Sequence, residues 1–231
     1  SPQGKFLADF FITNLEDYYL LEINEIFFAS FLAKLKIYKL RSKVDFKENV
    51  NLISFVFFCK NLPPINKNIN LYHDPRNDNL GTKVYIDKKS NDLKIITKLK
   101  ELSFDFYREK LIKNLVPNSP TDLIENKSLL LENNFQNINA IDWNKGCYVG
   151  QEITARMKYR SLLKKKIYVL ELLSGRINPG DDIVEKDINF GNVISKINKY
   201  LLCMLKINLV ENKKINKEII KITSSTQVKF L

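Results

Sequence analysis

The sequence predicts an α+β fold that ends in a small antiparallel β-barrel. Three observations carry this. Stretches with apolar residues three and four apart alternate with short continuous apolar runs up to about Leu163. From Lys165 onward, short apolar runs are separated by Gly and Asn, the pattern of an antiparallel barrel or sandwich. The chain has 231 residues, 45% hydrophobic and 27% charged, enough for one large or two smaller units with buried cores.

The elements follow in order. Phe6 to Ile12 and Tyr18 to Ile23 are apolar runs around the turn-like Asn14-Leu15-Glu16-Asp17, and predict a β-hairpin. From Glu25 to Lys39, Phe27, Phe31, Leu35 and Tyr38 share one face of a helix. Leu52 to Cys59 reads as a fully buried strand, ended by Pro63-Pro64 and the Asn-rich stretch after it. His73-Asp74-Pro75-Arg76 is a turn leading through Gly81 into a strand from Lys83 to Ile86. Phe104 to Leu115 is helical, with Tyr107, Leu111 and Leu115 aligned, and Pro117 and Pro120 stop it. Ser128 to Asn137 reads as loop or short helix. Strands are expected at Ile167–Leu173, Asp182–Val184, Asn192–Ile197 and Leu201–Ile207, which places a boundary near Leu163. The Lys-rich tail from Val210 has no clear period, and no internal repeat is visible.

Composition narrows the function classes. The apolar run Leu52 to Cys59 is far shorter than the roughly 18 residues of a membrane span, so no membrane role is expected. The start, Ser1-Pro2-Gln3-Gly4, has no signal-peptide pattern and no Met, so residues are expected ahead of it. A net charge of +11 favours anionic partners, although the abundant Lys, Asn and Ile also fit AT-rich coding. Cys59, Cys147 and Cys203 are odd in number and widely spaced, which suits a reducing, cytoplasmic setting. With three widely spaced cysteines and His73 as the single histidine, the chain cannot easily supply a four-ligand zinc site, or the four thiolates of a typical cluster, by itself. Cys59 and Cys203 sit in apolar runs and read as core; His73, in a turn, reads as structural.

The densest local signal is Lys145-Gly146-Cys147-Tyr148-Val149-Gly150-Gln151-Glu152, followed by Arg156. Gly146 and Gly150 permit unusual backbone angles and close approach of a ligand. After Gly150 the period is helical, with Val149, Ile153 and Met157 as the expected buried stripe and Glu152, Arg156 and Arg160 on a polar face. Cys147 therefore falls just ahead of a helix N-terminus with Lys145 nearby, a setting that favours a thiolate. The bland alternatives are a small buried thiol at Cys147 and an ordinary surface ion pair between Glu152 and Arg156. Arg156, Lys158, Arg160 and Lys164-Lys165-Lys166 have no acid among them, but only Tyr159 for stacking, so direct nucleic-acid binding is not expected.

The cysteine segment resembles the signature of the YgfZ family, folate-binding, aminomethyltransferase-like proteins that support iron–sulfur cluster assembly and include a mitochondrial assembly factor. Pro2-Gln3-Gly4-Lys5-Phe6-Leu7-Ala8-Asp9-Phe10, Asp74-Pro75-Arg76 with Leu80-Gly81, and Gly191-Asn192-Val193-Ile194-Ser195 resemble further family segments, so the likeness runs from about Gly4 to Ile207. It implies an aminomethyltransferase-like folate-binding domain over residues 1–163, lacking its leading segment, and a C-terminal β-barrel domain and tail over 164–231.

It further implies a monomeric factor that binds tetrahydrofolate or another reduced folate, acts on iron–sulfur carrier or client proteins, and affects tRNA modification indirectly. Cys147 would be the working thiol, either a redox thiol or a ligand shared transiently with a cluster whose other ligands come from a partner. Folate contacts are expected from Asp9, Lys145, Gly146, Tyr148, Gly150, Gln151, Glu152 and Arg156, with Glu152 meeting pterin donors and Arg156 or Lys145 the glutamyl carboxylates. The alternative is a folate-dependent aminomethyl transferase with Asp9 as its acid or base. Against it, Ala8-Asp9 stands where such enzymes carry two consecutive acids, and they lack the cysteine signature.

Overall fold

A computed structural model describes residues 1–59, 61–65, 70–160 and 162–231. Strands β1 (Phe10–Leu15) and β2 (Tyr18–Ile23) form the expected hairpin, with Phe11 opposite Glu22. The first strand starts later than its apolar pattern suggests. Residues 6–9 lie outside the hairpin, where Phe6 sinks into the core and exchanges backbone hydrogen bonds with Ser128 and Asn126. Asn14 and Leu15 are in the strand, so only Glu16-Asp17 turn.

Helix α1 spans Glu25–Lys39, as predicted, because the Asn24 side chain accepts from the Ile26 amide and caps it. Of its predicted apolar face, Phe27 is buried, Phe31 and Leu35 are half-buried with Phe31 against Phe10, and Tyr38 stays 71% exposed.

A three-stranded antiparallel sheet follows, ordered β3 (Leu52–Phe57), β5 (Thr82–Asp87), β4 (Asn70–His73). The expected fully buried strand is a half-buried edge strand ending at Phe57, so Cys59 lies beyond its pairing and is exposed rather than core. Residues 66–69 of the Asn-rich stretch after Pro64 lie outside the described residues. The sheet has two unlike faces. Val84 and Ile86 point into an apolar cluster with Phe55, Phe57 and Ile96, the last from helix α2 (Asn91–Ile96). Lys83 and Tyr85 alternate to the other face, toward the hairpin.

Helix α3 (Phe104–Lys113) is capped by Ser103. Arg108 on it pairs at 3.0 Å with buried Asp122, whose other oxygen accepts from the Asn118 amide, pinning the chain after the helix. Residues 128–137 make successive turns rather than a helix. Phe6, Phe27, Leu80, Leu111, Val116 and Phe135 form the first core, with Phe6 edge-on to Phe27 and Phe135.

After helix α4 (Gln151–Tyr159), residues 165–230 build one six-stranded antiparallel sheet. Its strands are β6 (Lys165–Ser174), β7 (Asp182–Glu185), β8 (Ile188–Ile197), β9 (Tyr200–Lys206), β10 (Ile219–Lys221) and β11 (Gln227–Phe230). The order β10-β11-β6-β9-β8-β7 brings the first and last strands close: the Lys221 amide of β10 donates to Glu185 of β7 at 2.9 Å. The sheet is therefore a nearly closed barrel. The unassigned tail supplies helix α5 (Ile207–Ile215) and two of the six strands. Cys203 is fully buried among Leu170, Ile183, Val193 and Leu205, as expected. Ile112 of α3 packs with Ile167, Val169 and Leu202, joining the barrel to the preceding part.

Candidate functional site

Two sequence segments far apart in the chain meet at the start of α4. Gly150 caps that helix with φ +88°. A Cβ there would run into the Ser1 carbonyl oxygen and stand 3.0 Å from the Gly4 nitrogen and Cα. Gly4 itself has φ +66°, and a Cβ on it would lie 2.9 Å from the Gly150 oxygen. The Ser1–Gly4 turn, closed by a 2.9 Å bond from the Gly4 amide to the Ser1 oxygen, thus sits directly on the Gly150 cap. Both positions need glycine for backbone conformation and for space. Gly146 has neither constraint: its φ is not in the left-handed region and a Cβ added there would meet nothing within 4 Å, which leaves open space beside Cys147.

The glycine cap also resets the helical phase. Val149 precedes the helix and is 66% exposed, Ile153 and Met157 are half-buried, and Thr154 is the buried residue facing Gly4. The expected Val149–Ile153–Met157 stripe is therefore replaced by contact through Thr154. Ahead of the cap, residues 143–149 run back along α4. Trp143 meets Tyr159 edge-on, and the Lys158 Nζ stands 3.8 Å from the Trp143 ring centroid. The Tyr148 amide donates to the Gln151 side chain, and Lys145 lies over the Tyr148 ring. Cys147 is held between these two anchored ends with its side chain exposed at the N-terminal end of α4. Such a thiol is open to a metal cluster presented by another protein.

Glu152 and Arg156 pair with each other at 2.6 Å on the outer face of α4, both largely exposed. Asp9 is half-buried just before β1 and makes no hydrogen bond or ion pair among the described residues. His73 is bonded to Thr82 at 2.9 Å across the β4–β5 pair, in keeping with its structural reading. Among the described residues no three His, Cys, Asp or Glu side chains cluster so as to hold a metal ion.

A second constellation was not singled out from the sequence. Between the hairpin and the three-stranded sheet, the Glu22 carboxylate accepts from Lys83 Nζ and Tyr85 OH, each at 2.5 Å, and Tyr85 is 2.9 Å from Tyr72 OH. Beside them Arg76 holds buried Asp74 through two side-chain bonds and donates to Tyr107. Phe11 lies under both cations, 3.9 Å from Lys83 Nζ and 4.7 Å from the Arg76 guanidinium carbon. Burial pushes the Lys83 ammonium below its ordinary value against the pull of Glu22. Burial pushes Tyr72 up to about 12, and burial with the bond to Glu22 drives Tyr85 higher still. Glu22 and Tyr85 also line a cavity of about 930 Å³ walled by the hairpin, α1 and the 45–49 segment. The alternation Lys83-Val84-Tyr85-Ile86 was the available signal, since a central strand with one polar face must place that face against polar partners.

Comparison with known proteins gives a consistent set of relatives. The iron-sulfur cluster assembly factor IBA57 homolog, mitochondrial, of Mycosarcoma maydis is 30% identical over 200 residues, covering 82% of this chain and 49% of that protein. The tRNA-modifying protein YgfZ of Aliivibrio fischeri strain MJ11 is 26% identical over 197 residues, covering 80% of this chain and 62% of that protein. Iron-sulfur cluster assembly factor IBA57, mitochondrial, of Mus musculus is 25% identical over 185 residues, covering 74% and 51%. The chain thus spans about half the length of these mitochondrial relatives. No protein-family model matches it.

Proposed function

From the chain's membership of the family that holds the YgfZ and IBA57 proteins, we propose that it is a folate-binding factor for assembly or repair of iron–sulfur proteins. The observation that carries the reading is Cys147, exposed at the start of α4 on a loop anchored at both ends. One thiol cannot complete a cluster, so Cys147 contributes one ligand while a carrier or client protein supplies the others. Exposure supports this role, because a shared ligand must be reached by the partner and must be able to leave. The iron–sulfur cluster is cargo in this scheme. Effects on tRNA modification follow indirectly, through modifying enzymes that need clusters. The three free thiols suit a reducing compartment, and no helix among the described residues is long and apolar enough to cross a membrane.

The cavity beside Glu22 supports a reduced folate as the ligand. Its volume of about 930 Å³ is in the range of small-molecule sites. Its walls include Tyr18, Phe28, Phe31 and Phe46, apolar rings suited to the pterin and benzoyl groups, and Lys47 supplies a cation for a glutamyl carboxylate. Glu22 offers a carboxylate to the ring's N–H donors while Lys83 and Tyr85 fix its orientation. Bound there, a reduced folate would supply reducing equivalents or a one-carbon unit. Asp9, the one acid left for aminomethyl transfer, has no partner among the described residues to orient it, which favours the assembly role.

Titration calorimetry with tetrahydrofolate tests the folate half. Binding should be saturable, and Glu22→Gln should weaken it about tenfold, equivalent to ~1.4 kcal/mol. Absence of heat, together with no stabilisation at ligand levels where ~2.7 kcal/mol is due for a hundredfold excess over Kd, contradicts it.

A further inference from the structure

The cations around Cys147 are distributed unevenly. Between Trp143 and Lys166 the sequence has seven Lys and Arg and one acid, Glu152. Arg156 pairs with Glu152, and Lys166 pairs with Glu211. Lys165 lies within electrostatic reach of Glu132. Lys145, Lys158, Arg160 and Lys164 have no carboxylate within ion-pair distance among the described residues, and all but Lys158 are exposed. The 143–149 loop folds back along α4, with Lys145 over Tyr148 and Lys158 over Trp143, and Arg160 follows the last turn of the helix, so these cations border the loop that carries Cys147.

Apolar side chains are exposed on the same unit: Val149 at 66%, Tyr159 at 71% and Leu162 at 50%. The loop and α4 therefore display a thiol and separate apolar side chains among unpaired cations. That composition fits a protein partner better than nucleic acid. Lys145 lies over Tyr148, and Lys158 lies over Trp143 and also near Tyr159. Lysines thus already occupy aromatic faces that single-stranded bases would need. Apolar anchors with a charged rim are instead what a protein interface uses, the charge steering the encounter and the apolar groups holding it.

We infer that the Cys147 loop and α4 form a docking surface for a protein with an acidic face, with Lys145, Lys158, Arg160 and Lys164 as its steering charges. The inference rests on the cluster-sharing role proposed for Cys147, and it adds the electrostatic class of the partner. Its charge is opposite to the patch, and its own cluster ligands must lie within or beside that acidic face to reach the thiol.

The test uses the full chain and its Arg160→Glu/Lys164→Glu variant, which alters two exposed residues without side-chain hydrogen bonds among the described residues and leaves Cys147 untouched. The probe is a small [2Fe–2S]-loaded carrier protein of net negative charge, fluorescently labelled. Association rates are followed by stopped flow from 50 to 300 mM KCl. The unaltered chain should associate at least about tenfold faster at 50 than at 300 mM. The variant should be about tenfold slower at 50 mM and converge with the unaltered chain at high salt. End-point cluster absorbance at 300 mM reads the sharing role separately. Normal cluster sharing with equal, salt-independent association rates overturns the docking surface and leaves the thiol role standing. Charge-dependent association without cluster sharing keeps the surface and removes the thiol role. No association with the carrier, or a charge-dependent affinity for a labelled single-stranded 20-nucleotide RNA without one for the carrier, overturns the inference.

Discussion

Replacing Gly150 should destabilise the protein far more than replacing Gly146, although both flank Cys147. At Gly150 the backbone has φ +88°, where an L-residue costs about 1–2 kcal/mol. A methyl group there would also collide with the Ser1 carbonyl oxygen and crowd the Gly4 backbone at 3.0 Å. Those are backbone atoms, so the Ser1–Gly4 turn must shift as a whole, a further cost of about 1–3 kcal/mol for overpacking. Gly150→Ala should therefore lose about 3 kcal/mol. Gly146→Ala meets open space and should stay within about 0.5 kcal/mol. Urea unfolding followed by circular dichroism gives both values from one protocol. A Gly150→Ala loss below about 0.5 kcal/mol, or equal losses at the two sites, would refute the back-to-back packing of Gly4 and Gly150.

Iodoacetamide should modify Cys59 and Cys147 in the native protein and Cys203 only on unfolding. Cys203 is fully enclosed and burial raises its thiol, so its rate should be lower by on the order of a hundredfold or more; comparable labelling of all three by mass spectrometry would contradict the barrel core. Stability should also fall in acid. Glu109, held down by Lys113, and Glu171, held down by Lys199 and then Lys229, have folded values below their ordinary one. Their contribution is present above the ordinary carboxylate value of about 4.3 and is lost as pH falls through the lowered values, so urea midpoints should be level from about pH 6 to 8 and decline below about 4. A decline confined to the neutral range would be inconsistent with this.

What the sequence made legible is what local patterns encode. Helix α1 has its own cap at Asn24 and an uninterrupted helical period, so its limits could be read directly. The main barrel strands announce themselves through apolar runs cut by Gly and Asn. The tail strands β10 and β11 are short and depend on long-range pairing, β11 with β6 and β10 with β11, which no local pattern specifies. The position of Cys147 before a helix followed from Gly150, but the phase of that helix did not. Thr154 rather than Val149 faces inward because Gly4, distant in sequence, occupies that side. Cys59 ends an apolar run that looks buried, yet the run is an edge strand that stops at Phe57, and edge position is a property of the sheet. The network of Glu22, Lys83, Tyr85 and Tyr72 joins the hairpin to the sheet. Each residue alone resembles an ordinary strand residue; only their meeting in one network, with Glu22 and Tyr85 on a cavity wall, sets them apart.

The most direct measurement of the role assigned to Cys147 is rescue by Cys147→Ser in cells lacking the native protein, read as iron–sulfur enzyme activity at matched protein levels. The side chain is exposed, so the substitution should leave the urea midpoint and tetrahydrofolate affinity within error of the unaltered chain. A hydroxyl is a poor ligand for cluster iron, so enzyme activity should stay at the level of cells without the protein. Full rescue by Cys147→Ser would show the thiol to be dispensable and would contradict its role as a shared cluster ligand.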